Sequence, residues 1–177
     1  MSAEQYRKFL VKQNGAYLKE LPPSKQTEEL CIYAIECNAH NLLYVHKRTE
    51  RLNILAVSKD YTILTNLKKE ERTDAVVWAA LHNNCRAIYH LTEITPDMLI
   101  FAHACGVSAS YLLGTKKVRQ TYELCLTAVS LSGWALPHVN ASFRTREMCM
   151  AAVLQNPEVI TDVTDPVIRS EIEMLLI

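Results

Sequence analysis

Thr27-Glu28-Glu29-Leu30-Cys31-Ile32-Tyr33-Ala34-Ile35-Glu36-Cys37-Asn38 is the stretch that decides the fold, because versions of it recur to the end of the chain. Thr121-Tyr122-Glu123-Leu124-Cys125 and Thr145-Arg146-Glu147-Met148-Cys149 restate its opening, and looser copies start at Thr49, Thr73 and Thr95. The six threonines are separated by 22, 24, 22, 26 and 24 residues. Seven positions after each stands an alanine: Ala34, Ala56, Ala80, Ala102, Ala128 and Ala152. A fixed spacing of this length is the mark of a repeat architecture.

Working outward from the threonine, position three is aliphatic or methionine (Leu30, Leu52, Val76, Met98, Leu124, Met148), and position eight is apolar except at His103. Apolar offsets of three, four, seven and eight share one face of an α-helix, so each copy opens with an amphipathic helix of about three turns. The threonine is its N-cap, with a side-chain oxygen that can accept from an orphaned N–H of the first turn. The alanine is small enough for a neighbouring helix to approach closely. Asn38, Asn84, Gly106, Gly133 and Asn156-Pro157 end the first helix, as residues that tolerate left-handed geometry or cannot continue a helix.

A second, shorter helix follows, with apolar residues fifteen and eighteen after the threonine: Leu42 and Val45, Leu64 and Leu67, Ile88 and Leu91, Leu136 and Val139, Ile160 and Val163. In the fourth copy Ser110 replaces the first of the pair and Leu113 keeps the second. The register extends back over residues 1–26, with Ser2 as cap and Leu10 in place of the alanine, and forward to a last helix opened by Asp165-Pro166. The expected fold is a single all-α domain over 1–177. It is a right-handed-type solenoid of about seven helix-turn-helix repeats of 22–26 residues plus a closing C-terminal helix.

Composition bounds the partners. Nineteen basic and nineteen acidic residues give no net charge, so there is no global field to draw nucleic acid or an anionic membrane. Met1 to Phe9 lacks the apolar core of a signal peptide. Residues 98–115 and 124–143 are long and uncharged, but Gly106 with His103, and Gly133 with Pro137, make them helix pairs with a turn rather than membrane spans. Of the six cysteines, Cys31, Cys125 and Cys149 hold the same place in different copies, where cysteine acts as a small hydrophobe. Free thiols in a reducing, cytoplasmic compartment are expected.

Phe9-Leu10-Val11-Lys12-Gln13-Asn14-Gly15-Ala16-Tyr17-Leu18 and Met148-Cys149-Met150-Ala151-Ala152-Val153-Leu154-Gln155-Asn156-Pro157 resemble the tandem repeats of the family called domain of unknown function 4116. The resemblance covers nearly the whole chain. Central copies depart most, with Val57-Ser58-Lys59-Asp60 and Leu81-His82-Asn83-Asn84 in place of the core phrase. It implies a helical scaffold of a kind common in bacterial, viral and pathogen-associated proteins, and it brings no reaction and no catalytic residues. A phage or pathogen factor aimed at a host protein, in the host cytoplasm, is what it would suit.

Motifs for chemistry are sparse. Neither His82 with Cys85 nor His103 with Cys105 is followed by a second pair at zinc-site spacing, so no metal is expected. Four glycines cannot build a phosphate loop or a dinucleotide fingerprint, so no cofactor is expected. His103, Cys105 and Ser108 form the one grouping a nucleophilic enzyme could use, although register puts His103 at a core position. Basic clusters at Lys47, Arg48 and Arg51, at Lys68, Lys69 and Arg72, and at Lys116, Lys117 and Arg119 fall at turns. They could line one edge for nucleic acid, diluted by Glu50, Glu70, Glu71 and Glu93.

Positions sixteen and seventeen carry more information, because there the copies disagree. Tyr44, Tyr89, His90, Tyr111 and His138 fall there, with Trp134 and the longer turn at Lys116 and Lys117 as further candidates for partner binding. The reading is a non-catalytic protein-binding module, an adaptor or inhibitor. A nucleic-acid-binding repeat is the alternative, and an enzyme around His103 and Cys105 comes third.

Overall fold

The computed structural model describes residues 2–115 and 117–176. They are all-helical, with no strand among them. Among the described residues nine α-helices run in chain order: α1 (Ala3–Gln13), α2 (Glu28–Cys37), α3 (Glu50–Lys59), α4 (Asp74–Asn83), α5 (Pro96–Ala104), α6 (Ala109–Gly114), α7 (Tyr122–Leu131), α8 (Arg146–Gln155) and α9 (Pro166–Leu175). The α-helix of each copy is followed by a shorter helix. That second helix is α6 in the copy opened by Thr95, and in every other copy it is a six-residue 3-10 helix: Gly15–Glu20, Ala39–Tyr44, Tyr61–Asn66, Cys85–His90, Gly133–His138 and Pro157–Asp162.

Five of the six threonines cap as expected, accepting from the N–H three residues on at 3.2 to 3.4 Å. Thr73 does not, because its hydroxyl turns to the Glu50 carboxylate of the preceding copy. Ser2 closes a full capping box with Gln5 on α1. Asp165 caps α9 by accepting from both Val167 and Ile168. No helix is long and apolar enough to cross a membrane among the described residues.

The helix-ending asparagines correct the expectation of left-handed caps. Asn38, Asn84 and Asn156 are extended, with φ of −158°, −156° and −145°. Their side-chain oxygens accept from the N–H two residues ahead, at 2.9 to 3.1 Å, and so open the 3-10 helix. Asn14 and Asp60 do the same. Gly106 alone among the glycines is left-handed, at φ 91°.

Repeat length also has a structural cause. The copies of 24 residues starting at Thr49 and Thr121 insert a short 3-10 turn, Lys69–Glu71 or Ala141–Phe143, before the next threonine. No such turn precedes Thr49 or Thr95, where the spacing is 22. In the 26-residue copy the longer segment is pinned by Arg119, whose N–H donates to the Thr92 carbonyl at 2.8 Å, and by buried Val118.

The chain divides into two compact units, residues 1–87 and 88–177. In the first, α1 packs on α2, α2 on α3 and α3 on α4, while the second helices of the first three copies pack in the same succession. In the second, α5 packs on α7, α7 on α8 and α8 on α9, with α6 against Gly133–His138 and that helix against Pro157–Asp162. Leu30, Leu52, Val76, Met98, Leu124 and Met148 are buried, and all six repeat alanines are fully buried. The second helices bury positions fifteen and eighteen as expected except in the last copy, where Val159 is fully buried and Ile160 only half-buried. Position fourteen is a further buried column: Asn41, Ile63, Ala87, Ala109, Ala135 and Val159.

Candidate functional site

The residues that repeat are committed to structure, which isolates those that are not. The cysteine column is one case. None of the six cysteines is in a disulfide, and Cys31, Cys125 and Cys149 are buried. Burial pushes the thiols of Cys31 and Cys149 up, and that of Cys125 up to about 11, so they stay protonated and unreactive at neutral pH. Cys37 sits at position ten, where its thiol faces the Val11 and Lys12 carbonyls at 3.9 and 3.8 Å. Asn83 and Gln155 occupy the same position and also reach back to the preceding copy. Asn83 accepts from the Tyr61 N–H and donates to the Ser58 carbonyl, and Gln155 accepts from the Gly133 N–H.

The position before each threonine is likewise structural. Gln26 donates to the carbonyls of Leu18, Leu21 and Tyr44 and accepts from the His46 N–H. Gln120 repeats the clasp one unit on, donating to the His138 carbonyl and accepting from the Asn140 N–H, both at 2.8 Å. Buried Ile94 holds the place before Thr95, and arginines hold it in the other three copies. Arg72 donates to the Leu67 carbonyl at 3.1 Å, and Arg144 to those of Val139 and Pro137, satisfying the orphan acceptors that end the preceding 3-10 helix. Arg48 pairs with Glu71 and Arg51 with Glu28, each at 3.4 Å. Of the guanidiniums that looked like a basic edge in the sequence, those of Arg48, Arg51 and Arg72 are thus engaged within the fold.

His103 is half-buried rather than at a core position, its Nδ1 lying 3.1 Å from the Val107 carbonyl oxygen. Cys105 is exposed. The Ser108 hydroxyl accepts from the Tyr111 N–H at 3.2 Å as the cap of α6. Among the described residues no group of three or more His, Cys, Asp or Glu side chains is placed to hold a metal ion.

In the second unit the variable positions come together. The Tyr89 and Tyr111 rings meet edge to face with centroids 5.7 Å apart, a favourable arrangement of ring quadrupoles. Next to Tyr111 in the chain, the Ser110 hydroxyl donates to the Trp134 carbonyl at 2.9 Å, joining α6 to Gly133–His138. At the other end of α6, the His138 ring lies so close to Gly114 that a Cβ there would stand 3.3 Å from it. Tyr111 is 64% exposed and Trp134 50%. Tyr89 is half-buried, and His90, His138 and Lys117 are exposed.

The chain matches no protein-family model, no curated protein and no solved structure.

Tyr44 lies in the first unit, 39% exposed beside Leu43 at 45%, its carbonyl held by Gln26. It is not brought to Tyr89 and Tyr111 by anything described. Lys116 lies outside the described residues. Sequence reasoning missed the Gln26 and Gln120 clasp, whose signal was a glutamine directly before the threonine in two copies. It also missed Asn53, 3% exposed in the column of Cys31, Cys125 and Cys149, whose Oδ1 accepts no hydrogen bond among the described residues.

Proposed function

We propose that this protein is a non-catalytic helical-repeat interaction module, an adaptor or inhibitor, of the repeat type that domain of unknown function 4116 resembles. Its copies stack as a solenoid, and it grips a partner protein with the aromatic ridge of Tyr89, Tyr111, Trp134 and His138. The observation that carries the reading is the exposure of Tyr111 and Trp134 on adjacent second helices, held by a backbone whose repeated positions are all spent on packing and capping. Large rings with a polar tip lose little side-chain entropy on binding and dominate interface energetics. The engagement of Arg48, Arg72 and Arg144 inside the fold supports a protein partner over nucleic acid. The three buried thiols suit a reducing compartment such as the cytoplasm, including that of a host.

The test is affinity capture from lysates of candidate hosts, run side by side with the wild-type chain and a Tyr111→Ala/Trp134→Ala variant. A stoichiometric partner held by the wild type and lost by the variant supports the reading. Equal recovery by both, or no partner for either, refutes it.

A further inference from the structure

Positions two, five, six and nine after each threonine make an i, i+3, i+4, i+7 stripe on the side of the first helix turned away from the buried positions three, four, seven and eight. Position five is apolar in all six copies, as Ile32, Ile54, Trp78, Ile100, Leu126 and Met150, and buried in none. The core does not call for a hydrophobe there. In the second unit α5 packs on α7 and α7 on α8, and the Tyr122 hydroxyl of α7 donates to the Glu147 carboxylate of α8 at 2.7 Å along this side. Ile100 is 48% and Leu154 66% exposed, and Leu126 and Met150 are half-buried. Position nine is Ala104, Ser130 and Leu154 here, against Glu36, Ser58 and His82 in the first unit.

Position two supplies the charges on the stripe of the second unit, and all are exposed carboxylates: Asp97, Glu123 and Glu147. None has an ion-pair partner among the described residues. Arg146, at position one of α8, pairs instead with Glu171 at 2.7 Å. In the first unit the same row is neutralised from within, Glu29 by Lys8 and Arg51 by Glu28. A first-turn carboxylate suits its own helix dipole in both units. What differs in the second is that no described residue supplies the counter-ion.

We infer that the outward face of α5, α7 and α8 binds a basic amphipathic helix of a partner protein. The apolar stripe of that helix lies on Ile100, Leu126, Met150 and Leu154, and its lysines or arginines meet Asp97, Glu123 and Glu147. The occupant's charge follows from the carboxylates, because a partner without cations would leave them unpaired in the contact. Its helical form follows from the face. The α-helices spend their backbone groups internally, and no strand among the described residues offers an edge. An extended segment laid on apolar side chains would bury its own peptide groups unpaired. A helix arrives with them satisfied and sets its apolar side into the groove. This face belongs to the first helices and is independent of the aromatic ridge, which the second helices carry.

Fluorescence anisotropy on the 177-residue chain tests it with a labelled peptide of about 18 residues, five turns of helix, carrying leucines at i, i+3, i+4 and i+7 and lysines elsewhere. Two comparators keep the length: one has glutamate for every lysine, and the other sets the same leucines and lysines in strict alternation, a strand pattern. The lysine helix is expected to bind with a dissociation constant on the order of 10 µM, and each comparator about tenfold or more weaker. Asp97→Asn/Glu123→Gln/Glu147→Gln is expected to weaken binding about tenfold at low salt, a gap that closes as salt screens the wild type. Ile100→Gln/Leu154→Gln, at exposed positions, is expected to weaken it about tenfold whatever the salt. Tyr111→Ala/Trp134→Ala is expected to bind as the wild type does. Circular dichroism checks folding, and either face variant carries the test if the other unfolds. No binding of the lysine helix at about 100 µM, equal binding of a comparator, face variants that bind like the wild type, or loss of binding in the ridge variant overturns the inference.

Discussion

Gly133 and Ala152, in successive copies, meet with no space between them: a Cβ on Gly133 would lie 2.6 Å from the Ala152 carbonyl oxygen. Gly15 repeats the relation with Ala34 at 2.8 Å. Backbone cannot yield as a side chain can, so Gly133→Ala is expected to cost about 1–3 kcal/mol by overpacking. Ala80→Arg, a charge at a fully buried site, is expected to unfold the chain. Thermal and denaturant melts check both, and unchanged stability in either would contradict the packing described.

Asn53 yields a gain. Its Oδ1 is buried and accepts no hydrogen bond among the described residues, while the same column elsewhere holds cysteine, valine or leucine. Asn53→Leu removes an unsatisfied acceptor at nearly constant shape and is expected to stabilise by about 1–2 kcal/mol. A denaturation midpoint that falls instead would show that the asparagine carries a bond this account lacks.

Arg144 and Lys117 separate structural from solvated cations. Arg144→Gln strips donors from the Val139 and Pro137 carbonyls and is expected to cost about 1–2 kcal/mol. Lys117→Gln, at an exposed position, is expected to change stability by less than about 0.5 kcal/mol. Equal effects in urea titrations would argue against the capping role.

The buried thiols predict an alkaline limit. Cys125 is fully buried and its thiol donates to Gln120 at 3.5 Å, and burial moves its pKa from 9.0 up to about 11. Between these values the unfolded chain releases a proton that the folded chain keeps, so stability present below pH 9 falls as pH rises through about 11. Cys125→Ala is expected to flatten that part of the profile. In the native state a thiol reagent is expected to reach Cys37 and Cys105 quickly and the three buried thiols only on unfolding.

Much of the fold was legible because its determinants are local and repeat. A threonine at a helix start, an alanine where helices close and a hydrophobe every three or four residues each carry one physical meaning. The second helices were legible as helices but not as 3-10, since apolar positions three apart fit either form. The asparagines misled because their side chains, not a left-handed backbone, make the turn. Arg72 read as surface charge because no sequence pattern says which carbonyls lie nearby. Of the partner-binding candidates, the disagreement between copies pointed to Tyr89, Tyr111 and His138 in the second unit and to Tyr44 in the first, while Trp134 was singled out apart from those positions.

The most direct measurement of the central claim is site-specific photo-crosslinking to a captured partner, with a photoreactive phenylalanine analogue placed at Tyr111 or Trp134 and, as controls, at the exposed Thr65 and Thr161 of other second helices. The account predicts adducts from 111 and 134 and none from 65 or 161. Adducts from the controls with none from the ridge would contradict it.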